Sequence, residues 1–97
     1  MASVTDAPRA LADLERLCDF LAETDLRATA QTVDLIAAAV AVLQEHPLIG
    51  RRAEVDLREL VISRGKSGYI ALYRYDGERD RVLVLAVRHQ REAGYFG

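Results

Sequence analysis

Residues 57–89 read LRELVISRGKSGYIALYRYDGERDRVLVLAVRH, and this stretch decides the fold. Three of its segments are rich in Val, Ile, Leu and Tyr, which favour strands; they are residues 57–63, 69–75 and 81–89. The residues between them are few, polar and include glycine, as in hairpin loops. The pattern therefore predicts a three-stranded antiparallel meander.

Alternation of side chains assigns the two faces of this sheet. In the middle strand, one face carries Tyr69, Ala71, Tyr73 and Tyr75, and the other carries Ile70, Leu72 and Arg74. In the last strand, the alternation separates Leu83, Leu85 and Val87 from Val84 and Ala86. One face must cover the rest of the core, and the second face is partly apolar too. Because large exposed apolar patches usually mark interaction sites, a binding partner is expected.

The first half of the chain predicts two antiparallel helices. Thr5 or Asp6 is the expected N-cap of the first helix, with Pro8 in its first turn; its apolar stripe is Leu11, Leu14, Leu17, Cys18 and Leu21. Residues 23–25 offer a second cap, and the second stripe is Val33, Ile36, Val40 and Leu43. His46-Pro47 ends that helix, because the residue before proline disfavours the α region. Residues 48–56 are expected to form a loop.

Composition limits the classes of function. The 97 residues suit one domain, spanning 1–97, and 51% are hydrophobic. A single cysteine, Cys18, excludes an internal disulfide, and we expect no metal, cofactor or small-molecule substrate. The longest run without a polar side chain is residues 35–43, short of the roughly 20 residues of a membrane span. With no secretory signal visible, a cytoplasmic protein away from the membrane is expected.

Charge is divided unevenly along the chain. Residues 1–45 carry three arginines and eight acids, net −5, whereas residues 46–97 carry ten basic residues and seven acids, net +3. The sum is the formal net charge of −2. A basic second half is compatible with an anionic partner, but proteins that depend on phosphate contacts usually show a larger excess.

Four segments in order resemble the RelE/ParE superfamily of bacterial type II toxins, also called plasmid stabilisation proteins. They read EHPLIGRR, LRELVI, GYIALYRY and VLAVRHQREAGYF, and the likeness runs from about Thr5 to Phe96. The resemblance implies an α+β fold of order β-α-α-β-β-β, a helical hairpin on a small antiparallel sheet, with an N-terminal strand that could come from residues 2–5. It also implies a cognate antitoxin that holds the toxin inactive in a hetero-oligomer.

The resemblance leaves two cellular targets open. RelE-like members are endoribonucleases that cut messenger RNA on the ribosome, which needs a base, an acid and cations at one phosphate. Carried over, Arg91 would stabilise phosphate, and Tyr95 or His89 would transfer protons. The backbone phosphates would contact Arg58, Arg64 and Lys66.

ParE-like members bind DNA gyrase and need no catalytic residues, so an enzyme is expected only on the RelE-like interpretation. Ile70 stands where RelE-like nucleases tend to have arginine, and the chain is slightly acidic, with pI near 5.6. Both facts favour gyrase inhibition. The contact residues for a target or the antitoxin would then be drawn from Arg58, Arg64, Lys66, Arg74, Arg88, His89, Arg91 and Tyr95. Arg74 could instead pair with Glu59, and an attenuated toxin or a non-toxic binding module is a third interpretation.

Overall fold

In the computed structural model, two helices lie against one face of a five-stranded mixed sheet. The structure describes residues 1–23, 25–64 and 67–90, without the side chains of 63, 64 and 67. In chain order the elements are β1 (Ser3–Asp6), α1 (Pro8–Ala22), α2 (Leu26–Glu45), β2 (Arg51–Glu54), β3 (Leu57–Arg64), β4 (Ser67–Asp76) and β5 (Arg81–His89). The strands lie side by side in the order β1-β5-β4-β3-β2.

The predicted α+β architecture is confirmed, and the sheet adds two features to it. β3, β4 and β5 form the antiparallel meander at nearly the predicted bounds. β1 is the expected N-terminal strand, but it pairs parallel to β5, so the sheet is mixed. The segment predicted as a loop contains β2, which pairs with the start of β3. Four exposed residues with the pattern RRAE carry no strand-like alternation, so the sequence pattern missed β2.

The start of α1 differs from the prediction. Thr5 and Asp6 belong to β1, where they pair with β5, and they are not the helix cap. The N-cap is Ala7, which has no side-chain cap and whose N–H instead donates to the Val84 carbonyl at 2.8 Å. Pro8 does lie in the first turn, as expected. Strand pairing therefore continues until the residue at which the helix begins.

The second helix begins and ends as predicted. Asp25 is its N-cap and accepts a hydrogen bond from the Arg27 N–H at 2.9 Å, and His46 is its C-cap. Two predicted stripe residues are not in the core, because Leu11 is 54% and Val33 is 49% exposed. The helix faces that pack on the sheet are not centred on the predicted stripes. The buried residues of α1 are Ala10, Asp13 and Leu17, and those of α2 are Thr32 and Leu43.

By length and composition α2 could also cross a membrane. Its most apolar window has a mean hydropathy of 1.5, and it is the one helix of the described residues that meets this criterion. Core helices of soluble proteins meet the same criterion, so a single such helix is weak evidence. The expected lack of a membrane span stays a prediction.

The helix-facing side of the sheet forms the core, and a bulge in β5 decides which residues reach it. Leu72 of β4 pairs with Ala86, whereas the next residue, Tyr73, pairs with Val84. Leu85 is therefore an extra residue in β5. Val87 therefore lies on the same side as Val84, and both are buried in one cluster with Tyr73. The prediction that placed Val87 opposite Val84 is wrong, because one inserted residue exchanges the faces of everything after it.

Asp13 on α1 is bound to the strand just after the bulge. The side chain was expected off the apolar stripe, yet Asp13 is only 5% exposed. One carboxylate oxygen accepts the Val87 N–H at 2.9 Å, and the other lies 3.8 Å from a guanidinium nitrogen of Arg16. A buried backbone N–H without an acceptor is costly, and the Asp13 carboxylate supplies the acceptor for the Val87 N–H. The helix and the bulged strand are thus joined by a polar contact inside the core.

Replacing Asp13 with alanine is expected to lower the free energy of unfolding by about 1–3 kcal/mol, because the Val87 N–H loses its buried acceptor. Urea unfolding followed by circular dichroism measures the change. Asp19→Ala, at an exposed position of the same helix, is the control and should stay within about 0.5 kcal/mol of the parent. Equal effects of the two substitutions would contradict this role for Asp13.

Candidate functional site: the open face of the sheet

The face of the sheet turned away from the helices, here called the open face, combines aliphatic side chains with charged ones, which include Arg74, Arg81 and Arg88. Arg74 lies opposite Leu83, and Arg88 lies opposite Ile70. Leu83 and Arg88 are half-buried, and Arg74 is exposed. Val61 on β3 is 41% exposed and lies opposite Ile70 on the other side of β4. The surface is therefore an apolar sheet face with cationic positions on β4 and β5.

Arg74 is an exposed cation of this face that is open to a partner. The alternative in which it pairs with Glu59 is wrong, because Glu59 accepts from the Arg51 guanidinium at 3.3 Å on the neighbouring strand. Among the described residues, Arg74 makes neither an ion pair nor a hydrogen bond. An arginine without an internal partner keeps its guanidinium donors for a bound carboxylate or phosphate.

A depression of about 520 Å³ begins at Arg74 and runs to the turn between β4 and β5. Its lining is mixed in charge: Asp56, Arg74, Asp76, Glu78, Arg79 and Arg81. One of its pairs is internal, since Arg79 lies 3.3 Å from Asp76. Asp56 has a positive φ of 62° at the turn between β2 and β3, which brings that turn to the rim. Arg79 in the turn and Arg81 at the start of β5 were not singled out from the sequence, because residues at a turn or a strand end show no periodicity that assigns them to a site.

His89 lies on the side of the sheet opposite to Arg74 and Arg88. Its ring makes an edge-to-face contact with Tyr69, with 5.4 Å between centroids and an interplanar angle of 86°. The Tyr69 hydroxyl is in turn 3.3 Å from the Thr32 hydroxyl on α2. His89 and Arg88 thus lie on opposite faces of the sheet, whereas Arg91 and Tyr95, the other two residues of the nuclease interpretation, lie outside the described residues.

Arg58 has a structural use within the chain. It lies on the helix-facing side of β3, opposite Tyr73, and its guanidinium donates to the carbonyls of Leu48 and Gly50 at 3.1 and 2.8 Å. The Gly50 N–H donates to the Tyr73 hydroxyl at 2.9 Å. Gly50 approaches so closely that an added Cβ would lie 2.6 Å from that oxygen. Arg58, Gly50 and Tyr73 together hold the segment that leads into β2.

Four of the predicted contact positions add nothing to this geometry. Arg64 is on β3, with its side chain outside the described set, and Lys66, Arg91 and Tyr95 lie outside the described residues. Across the described ranges, no cluster of three or more His, Cys, Asp or Glu side chains could hold a metal ion. Cys18 is a half-buried free thiol.

Solved structures define the class of protein that this fold and this open face belong to. The chain is similar to a chromosomal ParDE toxin–antitoxin system from P. aeruginosa, with a TM-score of 0.71 and 25% identity over 90% of this chain and 94% of the other. It has the same fold as a chain of the intact E. coli RelBE toxin–antitoxin complex, with a TM-score of 0.61, 19% identity and the same coverage. The fold is that of toxins from bacterial toxin–antitoxin pairs.

Sequence comparison then identifies the family. The family model for the ParE toxin of type II toxin–antitoxin systems, parDE, matches residues 6–94. Toxin RelE3 of Caulobacter vibrioides is 36% identical over 92 residues, which are 95% of this chain and 98% of that protein. Toxin RelE1 of the same organism is 41% identical over 77 residues, 79% of this chain and 83% of that protein. The chain belongs to the RelE/ParE superfamily of type II toxins.

Tyr73→Phe is expected to lower the free energy of unfolding by about 1–3 kcal/mol, because the Gly50 N–H loses its buried acceptor. Burial raises the pKa of Tyr73 above its ordinary value of 10.0, against smaller lowering effects of the Gly50 N–H and Arg58. Since the folded chain then holds this proton more tightly than the unfolded chain, stability from Tyr73 is present below pH 10 and is lost as pH rises through the folded pKa. The difference in free energy of unfolding between the parent and Tyr73→Phe should therefore become smaller above about pH 10.

Urea unfolding at pH 8 and pH 11 measures both effects. Tyr75→Phe is the matched control: its hydroxyl donates to Asp80 at 2.7 Å at the exposed turn, so its removal should cost less at pH 8. Equal losses for the two variants at pH 8 would count against the role assigned to Tyr73.

His89→Ala is expected to lower the free energy of unfolding by about 0.5–1.5 kcal/mol through loss of the Tyr69 contact. Growth arrest at equal soluble protein should be unchanged, because the ring faces the helices and not the open face. Induction of the variant without antitoxin, with quantified soluble protein, measures this. A loss of growth arrest in folded protein would show that His89 acts on the target.

Proposed function

We propose that this chain is the toxin of a type II pair that acts in the cytoplasm by binding DNA gyrase through the open face. The observation that carries the proposal is the open face itself, where aliphatic side chains lie beside Arg74, an exposed arginine with no internal partner among the described residues. RNA cleavage requires proton-transfer groups and phosphate-binding cations at one phosphodiester. A toxin that acts by binding needs a surface only.

The character of the open face supports a protein target. Aliphatic side chains around an unpaired arginine match the composition of protein interfaces, where arginine and apolar groups are enriched. A ribosome-dependent nuclease docks among dense phosphates, and such contacts favour a strongly basic protein. The net charge of −2 is unfavourable for that partner.

The proposal is tested by inducing the toxin alone in a bacterium and pulse-labelling DNA synthesis and protein synthesis in parallel. DNA labelling should fall first while translation continues, and the purified toxin should inhibit gyrase supercoiling. An early collapse of protein labelling with intact DNA labelling would instead support cleavage of mRNA on the ribosome. The absence of any growth arrest would indicate an attenuated toxin or a non-toxic binding module.

Arg74→Glu is expected to reduce inhibition of gyrase supercoiling at least tenfold, because it reverses the unpaired charge of the open face. The Tm should change little, since Arg74 has no internal partner among the described residues to lose. Arg9→Glu is the control, with the same change of charge at an exposed position of α1 on the other side of the sheet. Equal potency of the two variants would remove Arg74 from the contact surface.

A further inference from the structure

Arg81 is a second exposed arginine of the open face whose side chain has no internal partner. It begins β5 directly opposite Asp76, but the Asp76 carboxylate is occupied by its own turn. One carboxylate oxygen accepts the N–H groups of Glu78 and Arg79 at 3.1 and 3.4 Å, and the other lies 3.3 Å from the Arg79 guanidinium. Among the described residues, the Arg81 side chain makes neither an ion pair nor a hydrogen bond. Its guanidinium donors therefore stay available to a partner.

Arg74 and Arg81 lie on either side of Leu83. Arg74 is opposite Leu83, and Arg81 precedes Leu83 by two positions on the same strand, so the three side chains share the open face. The two arginines are diagonal neighbours across the strand pair, a separation that long side chains can bridge. All three residues line the depression of about 520 Å³, and Leu83 is half-buried. An apolar floor thus lies between two guanidinium groups without internal partners.

This arrangement fits a carboxylate. The planar guanidinium presents paired N–H donors at the spacing of the two carboxylate oxygens, and such bonds are stronger than those between neutral groups. A carboxylate on a short side chain would be held between Arg74 and Arg81, while the methylene groups next to it would contact Leu83. Aspartate and glutamate have this combination of groups.

The charges of the depression favour a protein carboxylate over a nucleic acid. The lining contains three arginines and three acids, so its formal charges cancel. A nucleic acid is charged at every phosphate, and the phosphates next to a bound one would meet the Asp56 and Glu78 carboxylates. A protein segment can place one carboxylate at the arginines and neutral or basic residues beside these acids. Charge complementarity of this mixed kind selects a protein partner.

We propose that Arg74 and Arg81 together bind an aspartate or glutamate side chain of DNA gyrase, and that the depression holds the neighbouring residues of that gyrase segment. The inference rests on the function proposed above, in which the open face binds gyrase. It adds the chemical class of the contact and makes Arg81 a residue that determines specificity for the target.

A single lysine in the sequence, Lys66, makes a direct test possible. Arg81→Lys and Arg74→Lys keep the positive charge and each introduce an amine at a chosen position. A carbodiimide joins an amine to a carboxylate only where the two groups touch, by forming an amide. Mixed with purified gyrase, each variant should yield a cross-linked product in which mass spectrometry maps the new lysine to a gyrase aspartate or glutamate.

Arg79→Lys is the matched control for this experiment. Residue 79 lines the same depression but lies 3.3 Å from Asp76 of its own chain. This variant should cross-link within the toxin and yield much less of the gyrase product. Equal yields from Arg79→Lys and Arg81→Lys, or a gyrase product from neither Arg81→Lys nor Arg74→Lys, would overturn the assigned contact.

Inhibition of gyrase supercoiling provides the second readout. Arg81→Glu should raise the toxin concentration for half-inhibition by about tenfold or more, because it places a carboxylate against the bound carboxylate. Arg9→Glu, at an exposed position of α1, has the same change of charge and should stay within about twofold of the parent. The Tm of each variant shows that it is folded.

The parent toxin separates failure of this inference from failure of the proposed function. If the parent inhibits gyrase and Arg81→Glu is as potent as Arg9→Glu, the inference fails and the proposed function stands. If the parent does not inhibit gyrase, both fail. A cross-link between two toxin chains would assign the arginines to self-association, and binding of a DNA duplex to the toxin alone that Arg81→Glu abolishes would assign them to phosphate. Either result would also overturn the inference.

Discussion

The hydrogen bond from the Gly50 N–H to the buried Tyr73 hydroxyl is the constraint on which much of the architecture depends. Tyr73 is fully buried, and Gly50 is drawn in beside it to a distance that a Cβ would not permit. Arg58 fixes the same segment through two carbonyls. Because the chain is held there, β2 begins only at Arg51, and among the described strands none pairs with this edge of β3 beyond Glu59. The core contact and the shortness of β2 are two results of one chain path.

A second local feature, the extra residue Leu85, decides which side chains of β5 lie on each face of the sheet. Uninterrupted alternation would place Val87 and His89 on the same face as Leu83, which is the open face. The bulge exchanges these faces: it brings Arg88 to the open face and turns His89 towards Tyr69. The Asp13 carboxylate binds the Val87 N–H directly after the exchange. The faces on which Arg88 and His89 lie thus depend on a single inserted residue and on the helix side chain bound beside it.

The sequence was sufficient for elements whose pattern is local. The meander, the Asp25 cap and the end of α2 at His46 all follow from periodicity and capping. It was insufficient where a distant contact overrides the local pattern. Thr5 and Asp6 pair with β5 instead of capping a helix, β2 has no apolar alternation, and Asp13 is buried because Val87 supplies a donor across the core. Of the predicted contacts, Arg74 and Arg88 lie on the open face, whereas Arg58 holds a loop. That division depends on strand register, which composition does not encode.

The parallel pairing of β1 with β5 has a consequence for how the toxin is made. Ser3 pairs with Arg81 and Asp6 pairs with Val84, so the first and the last strand of the described residues lie side by side in one sheet. Contacts of such long sequence separation carry a large closure entropy and form slowly. During synthesis β1 cannot form its pairing until β5 has been made. A chain terminated before β5 lacks both Arg88 and the strand with which β1 pairs. Only a chain that extends through β5 therefore has both the pairing partner of β1 and the Arg88 position of the open face.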